Sequence, residues 1–261
     1  MNTIDSLKDK RVWNSEKVVR TYISVADLQK PEQVILNILQ DRLPYWRMLD
    51  LGIGGGRTTV HFEPLVYEYH GTDYAERMVE ACIQRFPKVG PRTRFFVLDA
   101  TDMRNAADHY YDFVLFSFNG IDCIAPNDRE RVFREVQRVC KPGGYFAFSS
   151  HNLLYVPRMY QVKWYRRWRE FLYQFYRIAM LIYYNGLPGQ YADKKFAVLR
   201  DGVEHFSLSI YYIQPEYQVW QLKRMGFRNV RVFSYKTGQE IDHSRLNTLQ
   251  GDAWVYYLCE V

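Results

Sequence analysis

No run of eighteen consecutive apolar residues occurs in the 261-residue chain, so no segment reads as a helix that crosses a membrane. The four cysteines, Cys82, Cys123, Cys140 and Cys259, lie far apart, and there is no Cys-x-x-Cys pair. Neither a zinc site nor a disulfide framework is indicated, and no metal is expected. Residues Met1 to Lys10 mix acids, lysines and polar residues and lack the apolar core of a signal peptide. A cytoplasmic protein is the default expectation. No internal repeat or low-complexity stretch is visible. Charge of one sign does not dominate either: 35 Lys and Arg stand against 29 Asp and Glu, a formal charge of +6. That mild excess permits nucleic acid or an acidic surface as partner without requiring one.

Aromatic residues are the surplus. The 22 tyrosines and 16 phenylalanines suggest aromatic-lined pockets or an adhesive surface. A hydrophobic content of 48% is enough for one large domain with a sizeable core, or a domain plus a cap.

The chain is organised around Met48 to Thr59, where a short apolar run enters a cluster of glycines and a helix can start after it. This is how a buried parallel strand reads when it turns sharply into a helix over a ligand. Gly52, Gly54 and Gly56 let the backbone approach where a β-carbon would clash. The dinucleotide pattern G-x-G-x-x-G fails because Arg57 occupies its last glycine position. The pattern that fits is D-x-G-x-G-x-G, from Asp50 to Gly56. A plain tight turn would read the same, so the rest of the chain must decide.

Trp13 to Leu28 reads as a helix with Val18, Val19, Tyr22 and Val25 on one stripe. Pro31 suits the first turn of a second helix that runs to Arg42. Trp46 to Leu51 is the first strand. Arg57 to Tyr67 is its crossover helix, which Pro64 ends early or kinks. Tyr67 to Asp73 is the next strand, with Asp73 seventeen residues past Gly56. A carboxylate at that tip can accept both hydroxyls of a ribose. It can also cap a helix from Tyr74 to Arg85, with Glu76 completing a capping box. Phe95 to Ala100 forms a third strand ending at Asp99, which is either a turn aspartate or an acceptor for an adenine amino group. Tyr111 to Phe118 is a continuous apolar run, as in a central parallel strand. An amphipathic helix, Asp128 to Cys140, then precedes the strand Tyr145 to Ser149. This alternation predicts a doubly wound α/β sheet whose ligand sits beyond the strand ends, where Gly52, Asp73, Asp99, Asn119 and His151 all fall.

Five segments in order carry a resemblance: L-D-L-G-I-G-G-G-R (Leu49 to Arg57), G-T-D-Y-A-E-R-M (Gly71 to Met78), L-D-A (Leu98 to Ala100), Y-D-F-V-L-F-S-F-N (Tyr111 to Asn119) and R-V-C-K-P-G-G-Y-F (Arg138 to Phe146). Over about residues 46 to 150 the chain resembles the class I S-adenosylmethionine-dependent methyltransferases. The departure is Ile53, where many members have cysteine or serine; backbone atoms do most of the binding there. The resemblance implies a Rossmann-like, doubly wound, seven-stranded sheet with an antiparallel last strand, plus a helical and hairpin cap inserted after the fifth strand. A single methyltransferase domain over 1–261 is expected, divided into an N-terminal helical cap (1–45), a cofactor-binding core (46–150), a substrate cap (151–214) and a C-terminal helix with the last two strands (215–261).

The resemblance also implies roles, with S-adenosyl-L-methionine as cofactor. Asp50, Gly52 and Gly54 lie near its methionine part, and Arg57 pairs with its carboxylate. Asp73 holds the ribose hydroxyls, Tyr74 packs on the adenine, and Asp99 and Ala100 meet the adenine edge. Ser117, Phe118 and Asn119 pass under the sulfonium, and Tyr22 and Met78 complete the set. The signature of DNA amino-methyltransferases, Asn or Asp before two prolines and an aromatic, is absent at Ser117-Phe118-Asn119-Gly120.

Beyond residue 150 the pattern is less regular. Pro157 to Tyr184 reads as a long helix, broken or whole. Tyr160, Trp164, Trp168, Phe171, Phe175, Ala179 and Ile182 recur at three- and four-residue steps, while Lys163, Arg166, Arg167, Arg169 and Arg177 fall off that stripe. A capping helix with a solvated basic face is the simplest reading; contact with a membrane surface or an acidic partner is the sharper one. Lys195 to Leu199 and Glu204 to Ile213 read as a hairpin turning at Asp201-Gly202. Candidate bases are His151, His205 and Asp122. The expected reaction is methyl transfer to oxygen or nitrogen of a small-molecule acceptor, aromatic or acidic, with oxygen favoured and nucleic acid disfavoured. Two rivals remain: an RNA methyltransferase, suggested by Arg166 to Arg169, and a non-catalytic cofactor-binding module.

Overall fold

The computed structural model describes residues 2–164 and 166–261. The chain opens with α1 (Ser6–Trp13), α2 (Glu16–Ile23) and α3 (Lys30–Leu39). One helix over Trp13 to Leu28 is therefore replaced by two that meet at Asn14 and Ser15. The Asn14 side-chain amide donates to the Lys10 carbonyl at 3.0 Å and closes α1, a contact that short polar side chains make in preference to continuing a helix. Pro31 occupies the first turn of α3, where a missing N–H costs nothing.

A strand–helix alternation follows: β1 (Arg47–Leu51), α4 (Thr59–Phe62), β2 (Glu68–Asp73), α5 (Glu76–Arg85), β3 (Thr93–Val97), β4 (Tyr111–Phe116), α6 (Arg129–Val139) and β5 (Cys140–Asn152). Pro64 truncates the first crossover, leaving one turn of α4 and a single tighter turn over Glu63–Leu65. The strands lie in the order β3-β2-β1-β4-β5, all parallel. Apolar side chains on both faces, such as Leu49 and Met48 of β1 or Val114 and Phe113 of β4, explain why a parallel sheet forms: each face is covered by helices.

The remaining elements are α7 (Val156–Met159), α8 (Trp168–Asn185), β6 (Phe196–Leu199), β7 (Ile210–Ile213), α9 (Pro215–Arg224), β8 (Arg228–Ser234) and β9 (Trp254–Glu260). β9 runs antiparallel to β5, and β8 antiparallel to β9, which completes seven strands. β5 is much longer than Tyr145 to Ser149. Its last residues, His151 and Asn152, pair with Tyr212 and Ile213, so the hairpin β6–β7 joins the same sheet and brings it to nine strands. The second hairpin strand is shorter than the sequence suggests, because Glu204, His205 and Phe206 all have left-handed φ values of 44°, 57° and 63°. A strand cannot run through such a turn.

The segment 157–184 departs furthest from expectation. It is one turn of helix, an irregular stretch, and then α8, which turns Gln174, Leu181 and Asn185 inward. The cap has its own core, built from Leu153, Leu181, Leu199, Phe206 and Tyr212, and Trp13 and Cys123 pack against it. Among the described residues no helix is long and apolar enough to cross a membrane.

Candidate active site

β1 leaves the sheet at Leu51, and the chain turns back on Gly52, Gly54 and Gly56, at φ 64°, 53° and 79°. A β-carbon at Gly54 would sit 3.1 Å from the Tyr22 ring, and one at Gly56 would run into Phe86. Left-handed backbone and close packing together make glycine necessary here. Asp50 braces the turn from below. Its Oδ2 accepts hydroxyl hydrogen bonds from Thr58 at 2.5 Å and Tyr69 at 2.6 Å, and burial pushes its carboxyl up to about 6.

Asp73 lies at the tip of the adjacent strand. The Gly54 N–H donates to its Oδ2 at 3.0 Å and the Ala75 N–H to its Oδ1 at 2.9 Å, which ties β2 to the glycine turn. Each oxygen keeps a lone pair for a further donor. Burial raises this carboxyl to about 6 as well. The capping box with Glu76 does not form: α5 starts at Glu76, whose carboxylate instead accepts from Lys10 at 2.5 Å and Asn14 at 3.1 Å. Asp99 follows β3. Its Oδ1 accepts from the Thr101 N–H at 2.8 Å and hydroxyl at 2.7 Å, and its other oxygen is open.

β4 ends at Phe116 and is followed by Ser117 and then by Phe118 and Asn119, both left-handed at φ 54° and 60°. Behind them lies a buried ion pair. The Arg57 guanidinium donates to both Glu32 oxygens, at 2.5 and 2.6 Å, reaches the Asp27 carbonyl at 3.2 Å, and stacks 4.7 Å over the Phe118 ring. Ser117 and Tyr256 also donate to Glu32. Arg57 is thus committed to the protein, not held ready for a ligand carboxylate. Glu32 escapes a sequence reading because an acid in a first helical turn reads as a cap partner; it is that too, accepting from the Gln29 N–H at 2.6 Å.

These elements enclose a cavity of about 320 Å³. Of the residues expected at the cofactor, Tyr22, Gly52, Gly54, Asp73, Tyr74, Met78, Asp99, Ala100, Ser117 and Phe118 line it. Asp50, Arg57 and Asn119 stand behind its wall.

The three expected bases are not on the cavity. Asp122 is fully buried with both oxygens occupied. Oδ1 accepts from Arg129 at 2.8 Å and Ser150 at 2.6 Å; Oδ2 accepts from the His151 backbone N–H at 2.6 Å and lies 2.8 Å from its Nδ1. It clasps the turn after β4 to the end of β5. His151 is separated from the cavity by aromatic rings: Trp254 is 5.9 Å from it, and Phe118 is 5.0 Å from Trp254. His205 is exposed on the left-handed turn.

Asp9 is the residue that sequence reasoning missed. Ser6, Asp9 and Trp13 share one face of α1 at three- and four-residue steps, and Ser6 and Trp13 line the cavity. Asp9 is 3% exposed and stands behind Ser6 and Trp13 without lining the cavity itself. Burial, aided by Asp5, raises it to about 6. Its charge acts on Tyr74 and Cys123. Asp201 also acts on Cys123, and Glu204 acts on Tyr22; with burial as the largest cause, both the Cys123 thiol and the Tyr22 hydroxyl are pushed far up. No signal in Met1 to Lys10 marks Asp9, because a single short turn of polar residues has no legible period.

The chain is similar to known methyltransferases. Residues 48–144 match the family model described as a methyltransferase domain. A malonyl-[acyl-carrier protein] O-methyltransferase of Marinomonas sp. is 26% identical over 226 residues, 85% of this chain and 78% of that protein. An uncharacterized methyltransferase of Bacillus subtilis is 29% identical over 105 residues, 40% of each chain. Among solved structures, an S-adenosylmethionine-dependent methyltransferase from Mesorhizobium loti superimposes with a TM-score of 0.60 at 15% identity, over 88% of this chain and 98% of that one.

Proposed function

We propose that this chain, which is a class I S-adenosylmethionine-dependent methyltransferase, methylates a small, ring-bearing acceptor on nitrogen or oxygen, and that a basic nitrogen suits the site best. S-adenosylmethionine, its methyl donor, supplies an electrophilic methyl group on a sulfonium when bound. The cavity residues suit that molecule. Asp73 has lone pairs left for two ribose hydroxyls, and Asp99 has one oxygen open for an amino group. Tyr74 and Met78 offer apolar surface to a base, and the side-chain-free Gly52 and Gly54 admit close approach.

The acceptor is assigned to the end of the cavity near Trp13, Tyr22, Phe118 and Cys123. The observation that carries the reading is Asp9, a 3%-exposed carboxylate on the face of α1 whose Ser6 and Trp13 line the cavity, set one layer back from the cavity wall. With Asp201 and Glu204 it makes the surroundings of Cys123 and Tyr22 negative. An acidic acceptor would meet those charges, while Arg57 is already held by Glu32. A cationic nitrogen would meet aromatic rings and lie in the field of these acids, both of which attract it. Such an enclosure also opposes formation of an oxyanion, which moves the balance from oxygen toward nitrogen. Rigid placement of the acceptor by the rings does the rest; positioning alone contributes roughly 7–11 kcal/mol in favourable cases.

Labelled-methyl incorporation across a panel of ring-bearing amines, phenols and carboxylic acids tests this. Amines should be methylated fastest. Asp9→Asn should lower kcat/KM for them about tenfold or more, in line with loss of a charge acting through the protein interior, while cofactor affinity stays the same. A preference for carboxylic acids would contradict the reading.

A further inference from the structure

The stripe that the sequence lays along residues 164–182 is real, but it faces away from the protein. At about 100° per residue, Trp168, Phe171, Leu172, Phe175, Tyr176, Ala179, Ile182 and Tyr183 occupy roughly 140° of the α8 circumference. The inward line, Gln174, Leu181 and Asn185, lies outside that arc. Trp168 is 67% exposed, Phe175 45% and Tyr183 78%; in the segment before the helix, Trp164 is 86% exposed. A continuous apolar patch of this kind on a folded domain marks a surface meant to be covered.

Charge indicates by what. Between residues 157 and 185 the sequence holds Arg158, Lys163, Arg166, Arg167, Arg169 and Arg177 against one acid, Glu170. Arg158, Lys163, Arg166, Arg167 and Arg169 are exposed. A second copy of the chain docked on the same face would set these cations against their own duplicates. An anionic surface neutralises them. The helix is 18 residues long, about 27 Å, and its apolar arc runs most of that length, with the basic residues gathered at its N-terminal end. Tryptophan and tyrosine along such an arc, with basic residues beside it, are what a helix lying in a lipid headgroup layer presents.

We infer that α8 and the basic segment before it bind the surface of a bilayer containing anionic lipid, with the apolar arc inserted among the headgroups. This docking is independent of which acceptor is methylated. The cap that carries α8 packs on Trp13 and Cys123, two residues that also line the cavity.

Co-sedimentation of the full chain with vesicles tests the inference. With phosphatidylcholine vesicles containing phosphatidylglycerol, the bound fraction should exceed that with phosphatidylcholine alone at least tenfold. The double variant Trp168→Glu, Phe175→Glu should abolish pelleting while leaving the thermal midpoint and S-adenosylmethionine affinity unchanged, since both residues are exposed and far from any partner in the core. Wild-type protein that stays in the supernatant with anionic vesicles overturns the inference. So does pelleting that survives the double substitution. A wild-type dimer that the double variant converts to monomer assigns the face to a second copy and overturns it too. Binding to polyglutamate but not to anionic vesicles, lost in the same variant, assigns it to an acidic protein instead.

Discussion

At the strand tips almost every buried charge is answered, whereas in the layer above them charges and apolar faces stand without partners. Asp50 holds two hydroxyls, Glu32 holds Arg57, Asp122 holds Arg129 and His151, and Asp73 accepts two backbone N–H groups. In α1, Asp9 is buried with no ion-pair partner among the described residues; in α8, a row of aromatic side chains meets solvent. A densely connected network holds a shape, here that of the strand-tip edge, although both side-chain polar atoms of Asn119 stay without a partner among the described residues. Unanswered groups raise the free energy of the isolated protein, and a ligand or surface that answers them recovers it. The lower layer therefore speaks for fold and cofactor, and the upper layer for acceptor and location.

The comparison breaks most visibly by removing acids from each layer. Glu32→Ala leaves the Arg57 guanidinium buried without its partner and should lower the unfolding free energy by about 3–5 kcal/mol, measured by chemical denaturation at neutral pH. Asp9→Ala removes a buried charge on which only the neighbouring Lys8 acts favourably, so its stability should be equal to wild type or higher. Equal destabilisation by the two changes would mean that Asp9 has a structural partner after all.

Two glycines sharpen the lower layer. Gly56 and Gly143 have nearly the same φ, 79° and 77°, but a β-carbon at 56 meets Phe86 and Cys82, while at 143 it meets open space. Gly143→Ala should cost about 1–2 kcal/mol, the left-handed backbone penalty alone. Gly56→Ala should cost distinctly more by the same denaturation measurement. Equal costs would show that the turn yields freely to a side chain.

pH gives a smaller effect. Burial raises Asp50 and Asp73 from an ordinary 3.8 to about 6. Between about pH 4 and 6 the folded chain keeps protons that the unfolded chain has released, so these two groups make stability fall as pH rises through that window. Surface acids held low by arginine, such as Glu135 and Glu240, act in the opposite sense at lower pH. The contribution is isolated by comparing thermal midpoints of wild type and Asp50→Asn from pH 4 to 7. The amide oxygen can still accept from Thr58 and Tyr69, so the variant should show a flatter profile. Parallel profiles would rule out a raised Asp50.

How much of this could be read in advance follows the same division. The parallel core was legible because each of its parts has a local cause: the glycine turn, the apolar run of β4, and Pro64 stopping a helix. Asp73 and Asp99 fall at strand ends, and a doubly wound sheet brings all its strand ends to one edge. Arg57 misled because its partner, Glu32, lies 25 residues away on another helix. His151 and Asp122 misled for a related reason: topology put them near the right edge, but only coordinates show that they hold each other. α8 was legible as amphipathic and not as outward-facing, because periodicity gives a face and never its direction. Its break from α7 and the left-handed run at Glu204 to Phe206 depend on packing with the β6–β7 hairpin.

The most direct test of the account is titration calorimetry of S-adenosylmethionine into wild type and Asp73→Asn at neutral pH, with thermal midpoints recorded for both. Wild type should bind one cofactor per chain. Asp73→Asn should bind at least tenfold more weakly, as expected for hydrogen bonds to a charged acceptor worth about 1.5–3 kcal/mol, with its fold intact. Equal affinities in two folded proteins would contradict the claim that the strand-tip carboxylate grips the cofactor.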